Sequence, residues 1–296
     1  MSDLPLRIAI SGASGLVGSA LVPRLETDGH TVVPLVRSGS HRPGIPWDPV
    51  AGTIDHAALR ACDAVIHLAG ENVAQRWTAA TRERIRASRV QGTGLLARTL
   101  AEDPGRVRVF VSASGVALAG GTGDRPATEA DVAGRGFLAE VVRAWEAAAA
   151  PLEGGPVRTV FLRTGVVLTP QGGALAKMLP PFRLGLGGPV GDGRQWLPWI
   201  SLEDVVRLYQ RAVSDPVLVG PIHAVTASIR QGDFARTLGR VLGRPTCLPL
   251  PALAVRLLMG EMGKELLLDS LCVRPYPGLV PLDGDLAVLL RRQLGR

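Results

Sequence analysis

Residues 7–18 read Arg-Ile-Ala-Ile-Ser-Gly-Ala-Ser-Gly-Leu-Val-Gly, and no other stretch limits the fold as tightly. A short apolar strand runs into three glycines, Gly12, Gly15 and Gly18, and a helical run to about Asp28 follows. That order, strand then turn then helix, is the context a phosphate-cradling turn requires. Glycine lets the turn close and lets the backbone approach a pyrophosphate. The helix N-terminus adds unpaired N–H groups and the positive end of its dipole. Ser14, Leu16 and Val17 belong to the same cradle. The chain holds 36 glycines, so the spacing gains its weight from its place between a strand and a helix.

Downstream, apolar strand patterns alternate with helical ones, which implies an α/β fold with a doubly wound parallel sheet. Thr31 to Val36 reads as the second strand, with Pro34 a misfit because a central strand has no place for a missing N–H donor. From Thr31 to Ile45 there is no carboxylate of the kind that holds a ribose 2′-hydroxyl; Arg37 and Ser38 stand there instead. A guanidinium suits a 2′-phosphate, so this reading favours NADP(H) over NAD(H), against the alternative of a solvated surface arginine. Ala61 to Gly70 is a buried strand whose end, Leu68-Ala69-Gly70, is small enough for a cofactor to lie across it. A basic helix from roughly Thr78 to Leu100 places Arg82, Arg86 and Arg89 on one face, ordinarily a solvated one. The fourth strand, Arg108 to Gly115, brings Ser112 and Ser114 to the carboxyl edge. There Ser114 can bond a substrate oxygen or cap its own turn.

A loop from Ala119 to Pro126, a helix from Phe137 to Ala150 and a fifth strand from Val157 to Leu162 follow. Pro170 to Pro198 is rich in Gly and Pro and reads as a long irregular binding loop or lid. Ser201 then caps a helix running to about Val213, and Pro221 to Val225 forms a sixth strand. From Gln231 onward, Leu-rich helical patterns form a small, mostly helical C-terminal substrate lobe. The expected division is a nucleotide-binding domain over 1–165, to which 199–225 returns, and a substrate side over 166–198 and 226–296.

No run of 18 apolar residues spans a membrane, and Met1-Ser-Asp-Leu-Pro carries no basic segment ahead of an apolar one. Cys62, Cys247 and Cys272 are scattered and lack metal-ligand spacing, so a reduced, cytoplasmic protein without a metal is expected. The formal charge of +7 invites a nucleic-acid partner, but the arginines are spread along the chain and aromatic residues make up only 4%. That pattern argues for small anionic ligands over base stacking. Oligomeric state is not legible.

Several segments together resemble one family: Ser11 to Gly18, Asp63 to Asn72, Arg76-Trp77, Ser88-Arg89, Phe137 to Glu146, Leu162 to Leu168, and above all Gly172 to Pro189 with its continuation to Ile200. They are similar to atypical short-chain dehydrogenases/reductases of the NAD(P)-dependent epimerase/dehydratase type, which carry a C-terminal domain of unknown function. The resemblance implies NADP(H) at the sheet edge, with Arg37 toward the 2′-phosphate and Leu68-Ala69-Gly70 beside the cofactor. It further implies that Arg89 reaches cofactor or substrate and that Ser114 is the catalytic hydroxyl. The superfamily's proton device is a Tyr with a Lys four residues on, the ammonium lowering the phenol's pKa. Here Tyr209 and Tyr276 are followed at that distance by Val213 and Val280. Phe137 stands about where the tyrosine is expected, and Leu118-Ala119 replaces a Tyr-Tyr pair of the resembled group. Glu71, His67 and Lys177 are the substitute proton carriers on offer, each with an ordinary structural reading. Two functions stay open at this point: an NADP(H)-dependent oxidoreductase on a small carbonyl or sugar-like substrate, and a catalytically silent NADP(H)-binding sensor or partner protein.

Overall fold

The computed structural model describes residues 4–120 and 122–296; the first three residues and Gly121, within the loop expected from Ala119, lie outside the described residues. In chain order the elements are β1 (Arg7–Ser11), α1 (Leu16–Thr27), β2 (Thr31–Arg37), β3 (Ile45–Asp48), β4 (Thr53–Ile54), α2 (His56–Arg60), β5 (Ala64–His67) and α3 (Ala79–Glu102). There follow β6 (Val109–Gly115), α4 (Phe137–Ala147), β7 (Arg158–Thr164), β8 (Val166–Leu168), α5 (Gly173–Arg183), β9 (Trp196–Ser201) and α6 (Leu202–Ser214). The chain ends with β10 (Gly220–Ala224), β11 (Ala227–Arg230), α7 (Gln231–Leu242), α8 (Ala252–Gly263) and α9 (Leu286–Leu294).

The apolar runs of β1, β5 and β6 pair in parallel and are buried on both faces, as strands covered by helices on each side must be. The order among the described residues is β10-β7-β6-β5-β1-β2-β3-β4, parallel up to the antiparallel β3–β4 pair. Alternation along each strand divides the core. Ile8 and Ile10 face Leu21, Leu25, Val205 and Leu208 of α1 and α6, while Ala9, Val65 and Phe110 face Leu96 and Leu100 of α3. The doubly wound sheet is therefore present. Ser201 caps α6 as expected, its hydroxyl accepting the Asp204 N–H at 2.9 Å.

Three expectations need correction. Pro34 sits inside the sheet, opposite Ile10 of β1 on one side. Pairing with β3 on the other side begins only at Leu35, so the missing donor falls just before the ladder starts. Second, the sheet extends beyond β2 through β3 and β4, which are too short to read as periodic strands. Third, the stretch from Pro170 to Pro198 is not one irregular loop. It contains α5, in spite of Pro180 and Pro181 near its end, and runs into β9. Burial of Leu175, Leu179 and Phe182 in a third core with Trp199, Phe234, Leu238, Leu289 and Leu290 outweighs the lost helical hydrogen bonds. β9 lies between β8 and β11 in a second, three-stranded sheet.

Candidate functional site

At the carboxyl edge of the large sheet lies a cavity of about 1100 Å³. Its floor is the glycine turn. Gly12 has φ of +70°, and a Cβ there would stand 2.8 Å from the Ala69 backbone nitrogen. A Cβ on Gly18 would stand 2.3 Å from the Gly12 carbonyl oxygen. The Gly15 N–H donates to that carbonyl at 3.0 Å. The N–H groups of Leu16, Val17 and Gly18, which open α1, have no acceptor among the described residues. The cradle is thus shaped to exclude side chains and leaves the helix dipole uncapped.

The turn is held from beneath by two residues the sequence did not single out for it. The Ser11 hydroxyl oxygen accepts the N–H groups of Leu68 and Ala69, at 3.1 and 3.2 Å. Its own proton is free to go to His67 Nδ1, 2.6 Å away. His67 is fully buried, stacked near Phe110 and edge-on to Trp47, and desolvation drives its pKa down to about 3, helped by the charge on Arg89. A neutral imidazole sealed in the core does not shuttle protons to the cavity. Glu71 accepts from Gln75, and Lys177 lies exposed on α5; neither lines the cavity.

Of the sequence-derived residues, the cavity gathers Gly12, Gly15, Leu16, Val17, Gly18, Leu68, Gly70, Arg89 and Ser114. Ser14 is exposed on the turn, and Ala69 contributes its N–H to Ser11. Ser112 does not face the site: it is fully buried and its hydroxyl donates to the Ala113 carbonyl. Arg37 and Ser38 stand at the exposed end of β2, carried by the Ile10–Pro34 register to the level of the glycine turn. Arg89 departs from a solvated face. It donates to the carbonyls of Glu71 and Ile85, both at 3.0 Å, and lies 5.1 Å from the Trp145 ring centroid; a Cβ on Gly70 would stand 3.2 Å from its guanidinium carbon. Desolvation lowers its pKa to about 10, so it stays charged at neutral pH. No carboxylate salt bridge to it forms among the described residues.

Opposite the turn, the Ser114 hydroxyl donates to Glu146 Oε1 at 2.6 Å. Arg163 grips the same carboxylate from behind, Nε to Oε1 at 2.9 Å and Nη2 to Oε2 at 2.7 Å, a bidentate pair only 4% exposed on the arginine side. The Ser114 proton is therefore committed inward, and its lone pairs are what the oxygen offers the cavity. Glu146 and Arg163 lie 32 and 49 positions beyond Ser114, so nothing in the local sequence marks the cluster. Phe137 is buried against Trp77, with ring centroids 4.8 Å apart and the Arg82 guanidinium over it. Its N–H and that of Leu138 donate to the two oxygens of Glu265, at 2.8 and 2.9 Å. Tyr209 also borders the cavity, and burial alone pushes its phenol pKa up.

The model of the NAD dependent epimerase/dehydratase family matches residues 8–225. The chain belongs to that family. An epimerase family protein of Mycobacterium tuberculosis is 44% identical over 264 residues, covering 88% of this chain and 87% of the relative. The crystal structure of human epimerase family protein SDR39U1 (isoform 2) with NADPH is 32% identical, with a TM-score of 0.84 over 98% of this chain and 100% of the human one. The Bordetella bronchiseptica enzyme WbmG, solved with NAD and UDP, has a TM-score of 0.75 over 99% of this chain at 16% identity, a likeness of fold alone. These matches agree with the family resemblance seen in the sequence, and the human one extends through the C-terminal helices that lie beyond the family model.

Proposed function

We propose that this protein binds NADP(H) across the carboxyl edge of its large sheet and acts as an oxidoreductase on a small carbonyl or sugar-like substrate. The observation that carries the reading is the uncapped N-terminus of α1 over a turn that side chains cannot enter. This fits a pyrophosphate, and Arg37 in place of an acidic residue at the end of β2 fits a 2′-phosphate. NADPH in the human relative supports the phosphate-bearing form, while NAD in WbmG shows that the fold alone does not choose.

Gly12, Gly15 and the first-turn amides of α1 would hold the diphosphate, Leu68 and Gly70 would line its path, and Arg89 would supply a desolvated cation beside it. Bound there, the cofactor supplies or accepts hydride. Ser114 orients the substrate through its oxygen, held in one rotamer by Glu146 and Arg163. With Phe137 buried and His67 sealed, no tyrosine–lysine pair takes the proton, a loss worth about 10²–10⁴-fold in rate. The same two observations favour the second reading, a silent NADP(H)-binding sensor. We place the protein in the cytoplasm with a small-molecule ligand and no nucleic-acid partner; among the described residues no helix is long and apolar enough to cross a membrane.

The deciding measurement is a fluorescence titration with NADPH and NADH on the protein and on Arg37→Asp. NADPH is expected to bind the parent more tightly, and the substitution to weaken NADPH by more than tenfold while narrowing the gap to NADH. An Arg37→Asp variant with unchanged NADPH affinity overturns the 2′-phosphate assignment. Turnover of NADPH with any carbonyl compound separates the enzyme from the sensor.

A further inference from the structure

Trp196 opens β9 and lines the cavity, whereas Arg230 and Asp124, which hold it, do not. The Arg230 guanidinium lies 4.0 Å from the indole centroid. Trp196 Nε1–H donates to Asp124 at 2.9 Å, and Arg230 pairs with the same carboxylate at 2.8 Å. The Trp196 backbone N–H donates to Ser270 Oγ at 3.0 Å, and its carbonyl accepts the Leu271 N–H at 3.1 Å. One indole is thus fixed by β11, by the loop before α4 and by the segment after α8, and the cation that props it is not among the cavity-lining residues. A ring locked this way loses little freedom when a second ring stacks on it.

The rest of the lining says what kind of ring. Leu197, Pro198, Leu266 and Leu271 line the same cavity as the indole and add apolar surface to it. The polar groups of the cavity are mostly committed to one another: Ser114 to Glu146, Glu265 to the α4 amides, Lys264 to Asp269 and Ser270 to Trp196. Arg135, exposed at the rim, the Tyr209 hydroxyl and the Nη2 group of Arg89 are the exceptions among the described residues. A sugar would bring several hydroxyls that need partners here, whereas a flat conjugated ring needs only a face. We propose that Trp196 is a preorganised stacking platform and that the substrate is a small carbonyl compound carrying an aromatic or conjugated ring, not a sugar. The proposal rests on reading the cavity as an NADP(H) oxidoreductase site.

The test uses the full chain and the variants Trp196→Leu, Trp196→Phe and Arg230→Met. NADPH titration comes first and judges the cofactor reading by itself. Saturation-transfer NMR and calorimetric titration with benzaldehyde and acetophenone, against hexanal and methyl glucoside, follow with and without NADP⁺, so that the platform is judged even if the nucleotide does not bind. Ring protons of the aromatic carbonyls should receive saturation. Trp196→Leu should weaken their binding at least tenfold, Trp196→Phe less than threefold and Arg230→Met by an intermediate factor, with NADPH affinity changed less than twofold. Equal binding of hexanal or the glucoside, unchanged ring binding in Trp196→Leu, or no aromatic carbonyl bound overturns the proposal.

Discussion

α1 and α4 each open from a glycine-rich turn, and they meet opposite fates. α1 follows Gly12–Gly15, and its first-turn amides have no acceptor among the described residues. α4 follows Gly134-Arg-Gly136, and its first amides are taken by Glu265, 128 positions away in the chain. In both turns the glycines are enforced by contact. A Cβ on Gly18 would meet the Gly12 carbonyl, and one on Gly136, at φ +96°, would stand 2.6 Å from Glu265 Oε1. The first helix leaves its positive end open; the second is closed by an internal carboxylate that fastens the segment after α8 to the wall of the cavity. A glycine turn before a helix therefore announces an anion, and only the remainder of the chain decides whether that anion is its own.

Gly18→Val breaks the comparison at its stronger side. The added side chain must displace the Gly12 carbonyl and the Ala13 backbone, a strain of about 1–3 kcal/mol in a packed site, and so deforms the turn that would cradle a phosphate. NADPH affinity is expected to fall at least 100-fold in a fluorescence titration; a fall of less than threefold would mean that the turn does not hold the nucleotide. Glu265→Ala breaks the other side. Removing the cap should lower unfolding free energy by about 1–3 kcal/mol in a denaturant titration, because two buried amides lose their acceptor. Added formate or acetate should restore part of that loss in Glu265→Ala and none in the parent, whose α4 amides are occupied. Equal stability of parent and variant would show that Glu265 caps nothing.

The same contrast explains how much was legible in the sequence. The cradle's closure is local, Gly15 donating to the Gly12 carbonyl and Gly18 packed against it, so its spacing carries that geometry. The parallel sheet was legible too, because strands buried on both faces leave continuous apolar runs in β1, β5 and β6. The opposite wall is assembled from side chains far apart in the chain: Glu146 and Arg163 behind Ser114, Glu265 under Phe137, Asp124 and Arg230 around Trp196. No local period or spacing encodes such meetings. Ser112 looked equivalent to Ser114 because both hydroxyls lie on one face of one strand near the edge; Ser112 is still paired on both sides, with His67 and Phe161, and is fully buried, whereas Ser114 lies beyond the end of β5, where the cavity opens. α5 was hidden by its prolines, since its stability comes from the third core and not from its own propensity.

The open turn should also have a pH limit, set by a buried histidine. Ser11 keeps it in place by accepting two amides while its proton goes to the unprotonated Nδ1 of His67. Protonated His67 would present an N–H at Nδ1 to an oxygen whose lone pairs are already used, in a site that burial makes hostile to charge. Its folded pKa of about 3 lies below the unfolded value of 6.5, so the unfolded chain binds more protons throughout that window. Stability tied to His67 is therefore complete above pH 6.5 and declines as the pH falls toward 3, by about 1.4 kcal/mol per pH unit at most. Denaturant titrations between pH 7 and pH 4 should show this slope, and His67→Gln, which keeps a hydrogen-bonding group but cannot titrate, should flatten it even where its stability at pH 7 is lower. A parallel slope in His67→Gln would assign the acid sensitivity to carboxylates elsewhere and remove His67 as the support of the turn.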